Sequence, residues 1–214
     1  MRSAADYEEV LDRFRRGELD ILIGTQMIAK GLHFPNVTLV GIVNADQGLM
    51  MPDFRAPERV FQLITQVAGR AGRGDVRGEV VLQTRNPENE TINFAVKNDF
   101  AGFAEFDLEA REFLRYPPFT HLLAVHFRSE KPELALEYAE RFKAALQPLL
   151  HDGVRVGGPS PAPIERIKGK YRFMLVIRGT GLRNIRLKIR DMLLREPIPR
   201  GVDAFVDVDA QALL

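Results

Sequence analysis

The chain has 214 residues, 45% of them hydrophobic, with 30 basic against 29 acidic side chains, a net charge of +1 and no cysteine. That is enough apolar material for one large or two small packed domains without covalent staples. The composition excludes disulfides and thiolate metal sites, and it fits a reducing, cytoplasmic setting; no apolar run is long enough to span a membrane, and Met1–Asp6 lacks the apolar core of a signal peptide.

Taken in chain order, Tyr7–Arg15 sets Val10, Leu11 and Phe14 among Glu and Arg, the pattern of an amphipathic helix closed by Gly17. Ile21, Leu22 and Ile23 end in Gly24-Thr25, which reads as a buried strand over 20–24 feeding a loop, and a second such run covers Val37–Val43. A helix is predicted over Ala56–Ala71 and a strand over Gly78–Thr84. Strands alternating with helices imply a parallel sheet with crossovers. Asn86–Asn89 is a turn and helix-start signal, and helices are expected over Glu88–Lys97 and Asp99–Arg115. The second of these carries Phe100, Phe103, Phe106, Leu108, Phe113 and Leu114, an aromatic stripe expected in a core. Tyr116-Pro117-Pro118-Phe119 breaks the helix and marks a boundary.

The last hundred residues read as a module of their own. Leu122–Arg128 alternates as a strand, and Pro132–Leu150 is helical with Leu134, Ala135, Tyr138, Phe142, Ala145 and Leu146 inward. Val154–Val156 is a short strand leading into a Gly/Pro-rich stretch, Gly157–Pro163. Tyr171–Arg178, Leu182–Leu194 and Val202–Val208 follow as strand, helix and strand. The order β-α-β-β-α-β is the ferredoxin-like pattern of an α+β domain, which by itself specifies no function.

Two stretches carry chemistry. In Gln66-Val-Ala-Gly-Arg-Ala-Gly-Arg73, Arg70 and Arg73 sit three apart, each behind a glycine, on neighbouring positions of one helix face. Guanidinium groups so placed suit phosphate oxygens, and in nucleotide-driven motors such a group stabilises the γ-phosphate in flight. A frayed, basic helix end is the bland alternative. Upstream, Thr25, Gln26, Lys30 and Gly31 lie between two strand signals, where an open α/β sheet places ligand contacts. No Gly-x-x-x-x-Gly-Lys-Ser/Thr loop and no metal-holding acidic strand end accompanies them. His33, His121, His126 and His151 are scattered and form no metal site.

From Arg166 to Arg190 nine basic residues stand with no acid among them. An unbroken basic block points to a polyanion. Within it, Arg166, Lys168, Lys170, Tyr171 and Arg172 interleave cations with an aromatic and Gly169, which suits gripping a nucleic-acid backbone and stacking on a base. Tyr171 and Phe173 also fit the plain reading of a core strand's start.

The segments Gly24-Thr-Gln-Met-Ile-Ala-Lys30 through Val40 and Asp53-Phe-Arg-Ala-Pro-Glu-Arg59 through Gly74 resemble motifs V and VI of the second helicase superfamily, and in detail the PriA replication-restart helicases. The Gly157–Phe173 stretch and the closing Val206–Leu214 resemble the same family's C-terminal domain, except that Ala210 stands where the family often has Pro. The resemblance implies a fold: the rear part of a RecA-like helicase lobe (a parallel sheet with flanking helices) over 1–85, a helical connector over 86–116, and a ferredoxin-like, DNA-binding domain over 117–214. It implies that Arg73 is the γ-phosphate finger, Arg70 and Gln66 supporting contacts, and Gly31 a nucleotide neighbour. Thr25, Gln26 and Lys30 would couple nucleotide state to a DNA strand. ATP and Mg²⁺ are implied for an intact enzyme, zinc for an upstream region, and no bound cofactor for this chain alone. The implied partners are forked and single-stranded DNA, primosome proteins and single-strand-binding protein. Two alternatives stay open on the residues: a stand-alone nucleic-acid-binding module without motor activity, and a lobe of another superfamily 2 helicase.

Overall fold

A computed structural model of the chain describes residues 4–25, 34, 37–69, 78–195, 197–210 and 213. Its contacts divide it into two compact units, residues 1–49 with 57–103, and residues 50–56 with 104–214.

The first unit opens with helix α1 (Ala4–Arg15), which buries Leu11. A two-stranded parallel sheet pairs β1 (Leu39–Ile42) with β2 (Glu79–Leu82), in the register Val40 opposite Val80. A short helix α2 (Asp46–Leu49) follows β1. The Asp46 carboxylate accepts from Thr84 Oγ1 at 2.7 Å and from the Arg85 amide at 2.9 Å, which ties the ends of the two strands together. These hydrogen bonds to the charged form, the Arg85 amide foremost, hold Asp46 below the usual carboxylate range. Helix α3 (Ala56–Ala68) and α4 (Glu90–Lys97) close over this sheet. Val60, Phe61 and Ile64 of α3, one face at helical spacing, pack with Ile92, Ala95 and Phe103, and the Phe61 and Phe103 rings stack at 4.4 Å. Helix α4 starts where the Asn89 side chain accepts from the Ile92 amide and ends at Asn98 in the left-handed region.

Two expectations fail here. Residues 20–24 form no strand, and Ile21 and Ile23 are 76% and 88% exposed. A parallel strand needs a hydrogen-bonded neighbour, and among the described residues β1 and β2 find only each other in this unit. The aromatic stripe of helix α5 (Phe100–Phe113) is not core either: Phe103 alone is buried, while Phe100, Phe106, Leu108, Phe113 and Leu114 are exposed. Helical spacing does set Phe100, Phe103, Phe106 and Phe113 along one broad side, but Phe103 is the one of them buried in the cluster around Phe61 and Ile92.

The second unit is ferredoxin-like. Strands β3 (His121–Ser129), β4 (Val154–Ile167), β5 (Lys170–Gly179) and β6 (Val202–Val208) form one antiparallel sheet in the order β4-β5-β3-β6. Helix α6 (Pro132–Leu146) packs over β5 and β3, and helix α7 (Leu182–Arg195) over β6 and β3. Between the helices and the sheet lie Leu123, Val125, Phe127, Tyr138, Phe142, Leu175, Ile177, Ile185 and Ile189. The Gly/Pro-rich stretch after Val156 continues strand β4. Its prolines are tolerated because β4 is an edge strand, so a missing N–H costs no second ladder. Gly158, at φ +91°, leaves room for the Met174 carbonyl, which a Cβ would approach to 2.5 Å.

The other face of the sheet is covered by three pieces of chain far apart in sequence. Leu122, Ala124, Met174 and Val176 lie under Phe54, Tyr116, Ala210 and Leu213. The Phe54 and Tyr116 rings stack at 4.7 Å, with the Arg178 guanidinium 4.5 Å from Tyr116 and Arg55 4.2 Å from Phe54. Buried Asp53 accepts from the Leu213 amide at 3.3 Å, and Arg55 donates to the Ala210 carbonyl at 2.7 Å.

Further along that face, His126 is buried against the Phe205 ring at 4.8 Å. Burial, then Arg172 and Arg128, lower its pKa, with Asp207 acting the other way. The folded state therefore keeps His126 neutral while the unfolded chain takes up a proton near the ordinary value. Its contribution to stability is present above about pH 6.5 and is lost progressively as pH falls towards the folded value. Urea melts of the parent and of His126→Gln between about pH 7.5 and 5.5 check this. The acid-side loss of stability should be smaller in the variant, and equal slopes would contradict the assignment.

Candidate nucleic-acid interface

The turn joining β4 and β5 is two residues long, Lys168 and Gly169, flanked by the pair Ile167 and Lys170. Both turn residues have positive φ, +50° and +83°. That is the type I′ geometry, whose twist matches that of the strands it joins. Gly169 adopts it without cost, whereas a lysine in the left-handed region is strained by roughly 1–2 kcal/mol. Strain retained at an exposed tip is a functional signal, and the side chain held there is a cation.

The neighbours of the tip are organised around it. Arg166 donates from Nε to the Gly169 carbonyl at 3.3 Å, and its guanidinium lies 4.9 Å from the Tyr171 ring centre. Tyr171 pairs with Arg166 across the hairpin and is half-buried. The Lys170 ammonium meets Asp203 at 2.6 Å in an exposed pair, so part of its charge is already answered. Arg172 is buried, donates to the Ile164 carbonyl at 3.1 Å, and has its pKa lowered by desolvation and by Arg128. It props the hairpin from beneath and offers no surface to a ligand. Sequence reasoning placed these five residues together, and the structure does so with different parts for each: Lys168 and Arg166 outward, Tyr171 at the margin, Lys170 paired, Arg172 inside.

Of the other candidate residues, Thr25 is exposed after the irregular stretch 19–24, and Gln66 is half-buried in the last turn of α3. Gln26, Lys30, Gly31, Arg70 and Arg73 lie outside the described residues. Among the described residues no three His, Asp or Glu side chains gather as a metal site. Sequence reasoning missed Asp53, Phe54 and Arg55 as partners of the second unit. A partner 155 or 160 residues away leaves no local pattern.

A protein-family model described as the primosomal protein N C-terminal domain matches residues 112–211, and one described as the helicase conserved C-terminal domain matches residues 2–75. The chain is 39% identical over 211 residues to the replication restart protein PriA of Bacillus subtilis, covering 97% of the chain and 26% of that protein. It is 37% identical over 208 residues to PriA of Chlamydia muridarum and 39% identical over 207 residues to PriA of Haemophilus influenzae, covering 28% of each.

The chain belongs to the PriA replication-restart family.

It corresponds to the C-terminal part of a PriA protein and spans under a third of the length of the relatives it matches. The two family models meet the two fold types found, an α/β lobe and an α+β domain. Ala210, the departure from the PriA pattern at the chain's end, uses its carbonyl to accept from Arg55; a proline there keeps that acceptor. No helix of the described residues is long and apolar enough to cross a membrane.

The turn separates conformation from charge in a testable way. Asparagine tolerates the left-handed region better than lysine. Lys168→Asn should hold or slightly raise the chain's melting temperature while weakening DNA binding, read by fluorescence anisotropy. A variant that is both less stable and equally tight would contradict the role given to the tip.

Proposed function

We propose that the chain is the DNA-engaging C-terminal part of an ATP-dependent helicase that recognises stalled replication forks and restarts replication by primosome assembly. The observation that carries this reading is the Lys168-Gly169 tip: a strained cation at the end of a type I′ hairpin, beside Arg166 and Tyr171, in a chain of the PriA family. The hairpin grips phosphates through Lys168 and Arg166, with Lys170 contributing less because Asp203 competes for it. Tyr171 offers a ring edge at the margin for an unpaired base. Forked and single-stranded DNA are the ligands this suits. Primosome proteins and single-strand-binding protein follow from the family alone, as does a cytoplasmic setting.

In the intact enzyme ATP is substrate and Mg²⁺ its companion, and any zinc belongs upstream of this chain. Arg73 serves as the γ-phosphate finger, Arg70 and Gln66 support it, and Gly31 lets the nucleotide approach. Thr25, Gln26 and Lys30 couple nucleotide state to the strand. The sequence has no phosphate-cradling Gly-rich loop with its Lys-Ser/Thr, so these residues act on a nucleotide that another segment holds.

Two outcomes follow. The 214-residue chain alone should show no DNA-stimulated ATPase activity, whereas Arg73→Ala in an intact enzyme should cut turnover by roughly 10³-fold with DNA binding retained; steady-state turnover that co-purifies with the chain alone would overturn this. On duplex DNA, Lys168→Ala should flatten the dependence of log affinity on log salt by about one unit, and Lys170→Ala by less. An unchanged salt slope for Lys168→Ala, with the fold intact by circular dichroism, would move the DNA surface elsewhere.

A further inference from the structure

The basic block that first pointed to a polyanion does not form one surface. Its first part makes the β4–β5 hairpin, at one side of the sheet. Arg178 is taken up by Tyr116 on the sheet face away from the helices. The last part lies along α7, which carries five basic residues and one acid. Leu182, Ile185 and Ile189 bury the inner side of α7 in the core, which fixes the outward direction of the rest. Arg183, Arg186 and Arg190, three and four apart, therefore form an exposed row. Lys188 is committed to the Leu149 carbonyl at 3.1 Å, and Arg190 lies beside Asp191 at 3.0 Å. Among the described residues, Arg183 and Arg186 make no ion pair.

What lies between the two positive regions is negative. Across the sheet the order is β4-β5-β3-β6, with α6 over β5 and β3 and α7 over β3 and β6. Within the helix layer α6 therefore lies between the β4–β5 edge and α7, while on the opposite face Lys170 of the hairpin reaches Asp203 of β6. The exposed stripe of α6 carries Glu133, Glu137 and Glu140 with one cation, Arg141, and so stays net negative. A polyanion running over the helix layer from the β4–β5 edge to α7 would cross these carboxylates, where like charge repels it.

We propose that the Arg183, Arg186 and Arg190 row of α7 holds the phosphate backbone of a second DNA duplex segment, separate from the segment gripped by the hairpin. This inference rests on the reading of the hairpin as a DNA contact. Two backbone sites of this kind, insulated by an acidic strip, favour DNA that offers two arms. Both arms engage at once, so the second binds at the high effective concentration set by the first. A single straight duplex reaches one site at a time. The partner class is double-stranded nucleic acid read through phosphates, with no base selectivity from α7.

The test uses the 214-residue chain with blunt duplexes of about 10 bp, roughly 34 Å long, and with a forked substrate of two such arms. The parent should saturate with two short duplexes per chain. Arg183→Ala/Arg186→Ala should saturate with one, lose about 10-fold or more in affinity for the fork, and keep the remaining site's affinity. Arg183→Lys/Arg186→Lys, which retains charge, should restore the second site, so a merely structural role is separated from a phosphate contact. If the alanine variant still binds two duplexes, or the fork loses nothing, the α7 site is wrong. Lys168→Ala distinguishes the two readings. Weaker binding at the other site in that variant supports the hairpin, whereas unchanged affinity at both sites there, with loss only in the α7 variant, overturns the hairpin and spares α7. A parent that binds no duplex overturns both.

Discussion

Strand β3 runs through the middle of the C-terminal sheet and is buried from Leu122 to Phe127, on both faces. A strand with two apolar faces needs two covers. One is the layer of α6 and α7. The other is assembled from Tyr116, the 50–56 segment and the end of the chain, all resting on Leu122, Ala124, Met174 and Val176. Removing the buried Asp53 carboxylate would leave the Leu213 amide without this acceptor, and Arg55 holds Ala210 independently. This second cover decides where a ligand can go. The open sheet face, used for base stacking in some proteins of related topology, is filled here by the chain's own residues. The proposed contacts to nucleic acid therefore lie at the edges, at the hairpin tip and the outer side of α7.

In the proposed interface the charges of the hairpin are unequal in role. Arg172 is sealed in and donates to the Ile164 carbonyl of β4. It fixes the direction of the strands that carry Lys168 outward. Desolvation opposes its charge, as it does that of His126 beside it. An arginine keeps its proton under such pressure and a histidine does not, so the pair resolves into a cation and a neutral ring. That division lets two basic-type side chains share one buried place without repelling each other.

Much of this was legible in the sequence where the pattern is local. The helix over Leu182–Leu194, the strand over Val202–Val208 and the β-α-β-β-α-β order all found their elements. Motif residues named the family. Reading failed where partners decide the outcome. Ile21–Ile23 looks like a strand, yet pairing depends on a neighbour that β1 does not supply. The strand read at Val154–Val156 stops at Gly157–Pro163 because Gly and Pro break most strands, but an edge position removes the objection. Arg172 looks like its basic neighbours. Only the register, which sets it opposite Arg128 beneath the curled end of β4, shows that it faces inward. The even run of cations also hid its division by α6, because a sequence does not show which helix lies between.

Everything proposed for nucleic-acid binding turns on the hairpin being the place where DNA meets this chain. Amide hydrogen exchange of the 214-residue chain, free and saturated with a forked duplex, addresses that directly. Slower exchange at Arg166–Lys170 and along the outer side of α7, with Glu133–Glu140 of α6 unchanged, is the predicted result. Protection confined to α6, or to the sheet face beneath Phe54 and Tyr116, would contradict it.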